Sequence, residues 1–408
     1  FYDKLHLGNI GLYLQDKHGF QVRHIGSYVK CLSGRHRMVA RISSKPTLTS
    51  VRDMFKSLTE CGSSVELWDG QEWNSVTSMS RQRAENGGLT IYLYNGGTIK
   101  VSPDHRFRLE NGGLKEAKDL QKGEILAEAT FEGALPENGL DDIFDHDLGF
   151  FVGLFIAEGS YDAGKAHQFR FSLNAQEDDL ANAIKRVNDK FGGYCWEFFP
   201  EDSGAMAIIV SNSILFGVLQ KFTKGRGSLK KHLNWQEFLR TNRVFLEGVF
   251  RGYLAGDGGK VKNPRTGRIY EAYYLGFGFN KKLAYDLMLL ANCLGYDLRL
   301  AAAKAKYQHG TKQAYRGYVS LIRGRRPKRF KKPPTGIARI LPNTISVFYE
   351  IVLEKEPHQF VLPEGVLSHN SNPAPQARKV KWQNGVENFL VATKNKGAGH
   401  HFNYKLGQ

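Results

Sequence analysis

Two stretches of this chain end in a carboxylate followed by glycine, and in each the preceding small residues are four apart. In DLGFFVGLFIAEGS (residues 147–160) the small residues are Gly149, Gly153 and Ala157, and the acid is Glu158. In FLEGVFRGYLAGDG (residues 245–258) they are Gly248, Gly252 and Gly256, and the acid is Asp257. Residues four apart share one helical face, so both stretches predict helices whose small stripes admit a partner backbone closely. The repetition predicts that they pack on each other. A carboxylate at a helix C-terminus meets the negative end of the macrodipole, and two brought together need a cation. A single stripe of this kind is accounted for by glycine packing and a solvated acid; the same order occurring twice favours a chemical role. Paired acids that hold divalent ions suit phosphodiester hydrolysis, where the ion neutralises developing charge and lowers the pKa of an attacking water.

A second set of reactive residues lies far apart in the chain. Cys31 opens the run CLSG, His369-Asn370-Ser371 stands near the other end, and Ser102 and His105 follow a strand-like Thr98–Val101. From about Val65 to Leu126, short alternating runs are punctuated by Asp69-Gly70, Asn95-Gly96-Gly97 and Asn111-Gly112-Gly113, the pattern of β-hairpins. From about Asp141 to Arg323, apolar helical stretches alternate with strand-like pieces, which predicts an α/β or α+β domain. A basic run with Arg323, Arg325, Arg326, Lys328, Arg329, Lys331 and Lys332 leads into Pro333-Pro334 and reads as a linker or a DNA-facing edge. Strand-like residues return at Ile345 to Leu353 and Gln359 to Leu362, so the β region is expected to be split by the middle domain.

Composition sets the bounds on these readings. The 408 residues predict two or three domains, and 41% hydrophobic with 12% aromatic content excludes wholesale disorder. No apolar run approaches the ~20 residues that span a bilayer, and Phe-Tyr-Asp-Lys is no signal peptide, so a cytoplasmic protein without membrane contact is expected. Cys31, Cys61, Cys195 and Cys293 form no CxxC pair, which argues against a zinc ribbon or a disulfide framework. A net charge of +17 points to a polyanionic partner.

The two stripe segments resemble the LAGLIDADG motif of homing endonucleases, with Glu158 and Asp257 in the positions of its metal-binding acids. SLKKHLNW (residues 228–235) before the second motif and the helix-like Lys282 to Gly295 after it are similar to that family as well. The resemblance implies an α+β fold with pseudo-twofold symmetry whose strands, including Gln168 to Leu173 and Tyr273 to Phe279, form a saddle over double-stranded DNA. It further implies Mg²⁺ or Mn²⁺ as cofactor, a site lysine at Lys230 or Lys231, and a monomer that associates with the nucleoid when bound to DNA.

The residues at the junctions resemble inteins. Ser102-Pro103-Asp104-His105 is similar to the TxxH block, while residues 348–353, 358–360 and 366–370 are similar to the C-terminal blocks, in order and framing the nuclease. This implies a mainly β splicing domain (a Hint-type horseshoe) that needs no cofactor. Cys31 would attack the Lys30 carbonyl to give a thioester, with Ser102 and His105 holding the scissile amide and Glu350, where the family usually has Asp, helping to activate Cys31. Ser371 would then attack the thioester. Asn370 would cyclise, aided by His369 and His358, and Lys30 would be left joined to Ser371.

The flanks, with Ser371-Asn372-Pro373-Ala374-Pro375, Glu387 and Phe402-Asn403-Tyr404, resemble part of an amino-group DNA methyltransferase but lack a DPPY motif and a Gly-rich cofactor loop. The expected organisation is thus a host fragment at 1–30, splicing segments at 31–135 and 333–370, an endonuclease at 136–332 and a second host fragment at 371–408. The alternatives are a free-standing LAGLIDADG nuclease or maturase, and a hedgehog-like autoprocessing module, which has no need of His369-Asn370-Ser371.

Overall fold

The computed structural model describes residues 21–27, 31–84, 87–136, 143–162, 164–201, 204–262, 265–307, 310–322, 332–369 and 388–393. Its largest sheet has nine strands, in the order Ile337–Asn343, Gly88–Leu93, Thr98–Val101, Leu32–Ser33, Val347–Leu353, Trp73–Arg83, Val65–Trp68, Arg37–Ile42 and Lys45–Ser50. Every pairing in it is antiparallel. Strands before residue 102 thus interleave with strands after residue 336. A four-stranded sheet continues this mixing, with Val366–His369 seated between Arg106–Arg108 and Gln359–Leu362. Alternation along these strands buries Met38, Ala40, Leu67, Ile91, Ile99, Phe107, Ile351 and Leu362 in one core.

The intervening chain folds as two copies of one plan. Helix His146–Glu158 is followed by a sheet ordered Gly159–Tyr161, Gln168–Asn174, Ala205–Ser211, Tyr194–Phe198. Helix Arg243–Asp257 is followed by one ordered Gly258–Lys262, Ile269–Gly278, Gly310–Ser320, Asp297–Tyr307. Both helices start from a capping side chain that accepts a backbone N–H three residues on: Asp145 from Leu148 and Asn242 from Phe245. Both stop at glycine, where extended backbone enters the first strand. The apolar faces of both copies meet in a second core that also takes in Val39, Trp68 and Val361 from the β region.

Outside these units, Gln21–Ser27 pairs antiparallel with Asn388–Thr393. Of the basic run before Pro333, only Lys332 is among the described residues; its ammonium donates to the Tyr94 hydroxyl at 2.9 Å. No helix among the described residues is long and apolar enough to cross a membrane.

Candidate functional site

The two stripe helices lie backbone against backbone. A Cβ added to Gly153 would overlap the carbonyl oxygen of Val249, and one added to Gly252 would overlap that of Phe150. Gly149 meets Phe245 O and Gly248 meets His146 O in the same way, so the exchange is reciprocal, as a pseudo-twofold axis requires. No other residue fits such a crossing, because any side chain would force the helices apart. At the end of the seam Gly256 packs on Ala157, with its Cβ position 3.0 Å from Glu158 Cγ, which sets Glu158 and Asp257 side by side.

That placement changes the chemistry of both acids. Burial, then the Asp257 charge, then that of Glu177, push the half-buried Glu158 carboxyl up to about 7, with Lys231 opposing. Desolvation also raises Asp257, although its side chain reaches solvent; the Tyr253 hydroxyl and Lys231 oppose the rise. Lys231 is only 5% exposed, and burial lowers it to about 8 against the pull of Asp257 and Glu158. Its ammonium donates to Phe155 O at 2.8 Å and Gly159 O at 2.7 Å and lies over the Phe155 ring. The positive charge that the helix ends call for is therefore partly supplied by the chain itself.

Of the two lysines expected from sequence, only Lys231 enters the site. Lys230 is exposed, because the turn packed on Gly225 sends its side chain outward while its carbonyl bonds His232 Nδ1 at 2.8 Å. Tyr253 and Glu177 were not singled out by sequence reasoning. Tyr253 is fully buried and donates to Gly276 O. A tyrosine facing the stripe one turn before the acid was the available signal; Glu177 precedes a different helix and gave none.

The donor set suits a hard divalent cation. Burial raises both carboxylates, and the Asp257 charge adds to the rise at Glu158; a shared positive charge would relieve both, and both offer oxygen. Among the described residues no group of three or more His, Cys, Asp or Glu gathers around them.

The second set of reactive residues also converges. Leu32 pairs with Val101 on one side and Tyr349 on the other, which places Cys31 between Ser102 and Glu350. Cys31 is completely buried, and its N–H donates to Ser102 Oγ at 2.9 Å. Its carbonyl accepts from Ser102 N at 3.0 Å and from Ser102 Oγ at 3.4 Å. Burial, then the Glu350 charge, hold the thiol well above its usual pKa. Glu350 therefore disfavours a resting thiolate. Glu350 itself accepts from Ser80 Oγ at 3.1 Å.

The His105 ring is 2.7 Å from Ser368 Oγ, a contact that sequence reasoning did not assign, though Ser368 lies inside the block quoted for its neighbours. His369 pairs with Arg106, next to His105, and with Gln359, next to His358. His358 is buried beside Glu356, with Nε2 3.0 Å from its carboxylate. His369 thus ends the middle strand, and His105 and His358 each immediately precede one of its two neighbours. Lys30, Asn370 and Ser371 lie outside the described residues, as do Glu387 and Phe402-Asn403-Tyr404.

No known protein-family profile matches the chain. Among curated proteins, a 115-residue stretch is 28% identical to the DNA-directed RNA polymerase subunit Rpo1C of Methanocaldococcus jannaschii. It takes in 28% of this chain and 13% of that protein, so the chain spans only a small part of the curated relative it matches. Solved structures that resemble it include a mesophilic variant of the homing endonuclease I-DmoI, at 15% identity and a TM-score of 0.30, covering 44% of this chain and 90% of that one. The PabCDC21-1 intein is 14% identical with a TM-score of 0.22, over 24% of this chain and 72% of that one. The N-terminal LAGLIDADG domain of DUF199/WhiA is 14% identical with a TM-score of 0.29, over 44% and 76%.

Proposed function

We propose that this chain is an unspliced precursor in which a self-splicing domain is interrupted by a DNA endonuclease. The observation that carries the nuclease is the reciprocal glycine seam, which sets Glu158, Asp257 and Lys231 at one point. In this reading Glu158 and Asp257 hold Mg²⁺ or Mn²⁺, which when bound neutralises charge on a DNA phosphate and acidifies water. Lys231 keeps the two carboxylates from repelling each other apart and fixes the end of the first helix. One chain supplies both halves, so a single copy addresses both strands of a duplex inside the cell.

The splicing reading is favoured by a separate observation, the bond from the Cys31 N–H to Ser102 Oγ. That N–H belongs to the peptide bond that must break. A serine oxygen accepting from it holds the scissile amide in place and stands where a proton can be returned to the nitrogen as it leaves. Cys31 Sγ forms a bond to the Lys30 carbonyl carbon, Glu350 takes the thiol proton, and the nitrogen leaves with a proton returned by Ser102 and His105. Ser371 Oγ then displaces the thioester sulfur. The Asn370 side-chain nitrogen closes on its own carbonyl carbon to form a succinimide, the Asn370–Ser371 peptide bond breaks, and the Ser371 nitrogen leaves as an amine with a proton carried by His369 and His358. That amine takes the Lys30 acyl group from the Ser371 oxygen in an O-to-N shift. The paired strands Gln21–Ser27 and Asn388–Thr393 belong, in this proposal, to the host protein, whose resemblance to an amino-group DNA methyltransferase remains part of it.

The test is to incubate purified precursor and weigh the products. Fragments of residues 31–370 and of 1–30 joined to 371–408 are expected, and Asn370→Ala should block release at the C-terminal junction. Ligation that persisted unchanged in this variant would remove the splicing assignment. A plasmid bearing the uninterrupted host sequence should be cut only with Mg²⁺ or Mn²⁺, and Glu158→Gln should abolish double-strand cutting; cutting unaffected by this change would remove the nuclease site.

A further inference from the structure

Asp286 lies at the middle of helix Lys281–Cys293, fully buried among Leu283, Leu287, Leu289 and Leu290. A carboxylate in such surroundings is costly unless each oxygen is engaged. Its Oδ2 accepts from Leu233 N at 3.2 Å, and its Oδ1 accepts from Trp235 Nε1 at 3.0 Å and Arg37 at 3.0 Å. Asn280, the cap of the same helix, accepts from Leu283 N while its amide donates to Ser228 O at 2.9 Å and Lys231 O at 2.7 Å. Two side chains of one helix therefore hold the backbone on both sides of Lys231. Neither touches Glu158 or Asp257. Arg37 reaches the same carboxylate from a strand that begins six residues after Cys31.

We propose that Asp286 and Asn280 are positioning residues for Lys231 in the nuclease site, with Arg37 of the β region as the third support of Asp286. The proposal rests on the nuclease reading above. Two neighbouring basic residues have a role under it: Arg37 neutralises Asp286, and His36 Nε2 lies 3.3 Å from the Glu364 carboxylate, so both fasten the strand in place. The loop that carries Lys231 contributes only the two short strands Thr223–Lys224 and His232–Leu233, too little structure to fix an ammonium by itself. A lysine displaced by about 1 Å would no longer span Phe155 O and Gly159 O, and misplacement on that scale costs about 100-fold in rate.

Asp286→Asn keeps one carbonyl oxygen but sets an NH₂ against either the Leu233 N–H or the Arg37–Trp235 pair. Asn280→Asp keeps the helix cap and turns a donor into an acceptor facing two carbonyls. In the full-length chain, each variant should slow single-turnover cleavage in Mg²⁺ by about 10- to 100-fold, leave duplex affinity in Ca²⁺ within about twofold, and raise hydrogen exchange selectively in residues 228–235. Arg37→Met should show the same pattern at about 3- to 10-fold, with Arg37→Lys restoring most of it. Cleavage at the wild-type rate by both Asp286→Asn and Asn280→Asp would overturn the proposal, and so would exchange that rose equally throughout the nuclease, the mark of a merely structural role. If wild-type protein cut no duplex, the nuclease reading would fail by itself, and exchange confined to residues 228–235 would still support the clamp on Lys231.

Discussion

The cysteine pocket and the carboxylate cleft solve opposite problems with the same tool. Around Cys31, complete burial and the Glu350 charge keep the thiol protonated, which in the proposed splicing reaction would leave the peptide bond intact until the neighbouring groups act together. At the helix ends, partial burial raises Glu158 and Asp257 without closing them off, which is what the proposed entry of a cation and a phosphate requires. In the proposed function the first site would act on its own backbone and has to exclude water. The second would act on a polymer and has to stay open. Their supporting structures differ in kind as well: strand register aligns Cys31, Ser102 and Glu350, whereas close approach of two helices aligns the acids.

The sharpest way to break this contrast is Gly252→Val. The new side chain would meet Phe150 O in the helix seam, and overpacking against backbone costs several kcal/mol, on the order of 4 or more where nothing can yield. DNA cutting should be lost, while thiol-induced cleavage at Cys31 should persist, because Leu32, Ile99, Val101 and Tyr349 pack in a core distinct from that of the helices. Measuring both activities on one preparation decides it: loss of both together would mean that the two sites stand or fall as one unit.

A smaller effect belongs to the pocket itself. Ser102→Ala removes the acceptor of the scissile N–H and leaves that buried donor without its partner, which costs roughly 1–3 kcal/mol. Thiol-induced cleavage at the N-terminal junction should slow by about 10- to 100-fold with cutting of DNA unchanged. A wild-type cleavage rate would show that Ser102 is only a turn residue.

How far these sites could be read in the sequence depended on whether local spacing or distant packing sets them. The glycine stripes were legible because spacing of four on one face is a local property, and so was the strand Gln359–Leu362, whose ends match the expected ones. The choice between Lys230 and Lys231 was not, since it turns on which way a short loop faces. Asp286 left a trace, an acid amid the apolar run LAYDLMLL, but its three donors come from residues 37, 233 and 235 and only the fold joins them. Nothing in the local sequence marks Arg37 as a partner of Asp286, which lies 249 residues away and is reached only through the fold. Tyr253 differs from Leu154 at the matching place in the first stripe, and this break in the repeat is where the two halves of the cleft part company: one acid has a hydroxyl beside it, the other a lysine held on its helix end.

The mildest test uses pH to separate the cleft from the pocket. Because Glu158 titrates near 7 rather than at its ordinary value of 4.5, the folded chain holds a proton there that the unfolded chain has released. Between those values the folded state binds more protons, so without metal this group makes stability fall as pH rises from about 4.5 to about 7. The same proton competes with a divalent ion. Mn²⁺ affinity should therefore tighten by about tenfold from pH 6 to 8, with the gain below 7 and little above, and Glu158→Gln should bind weakly at every pH. Titration calorimetry across that range reads it directly. The Cys31 thiol, held far above this window, should leave N-terminal cleavage still rising past pH 8, and a plateau shared by both activities near 7 would mean that the pocket and the cleft are not tuned apart.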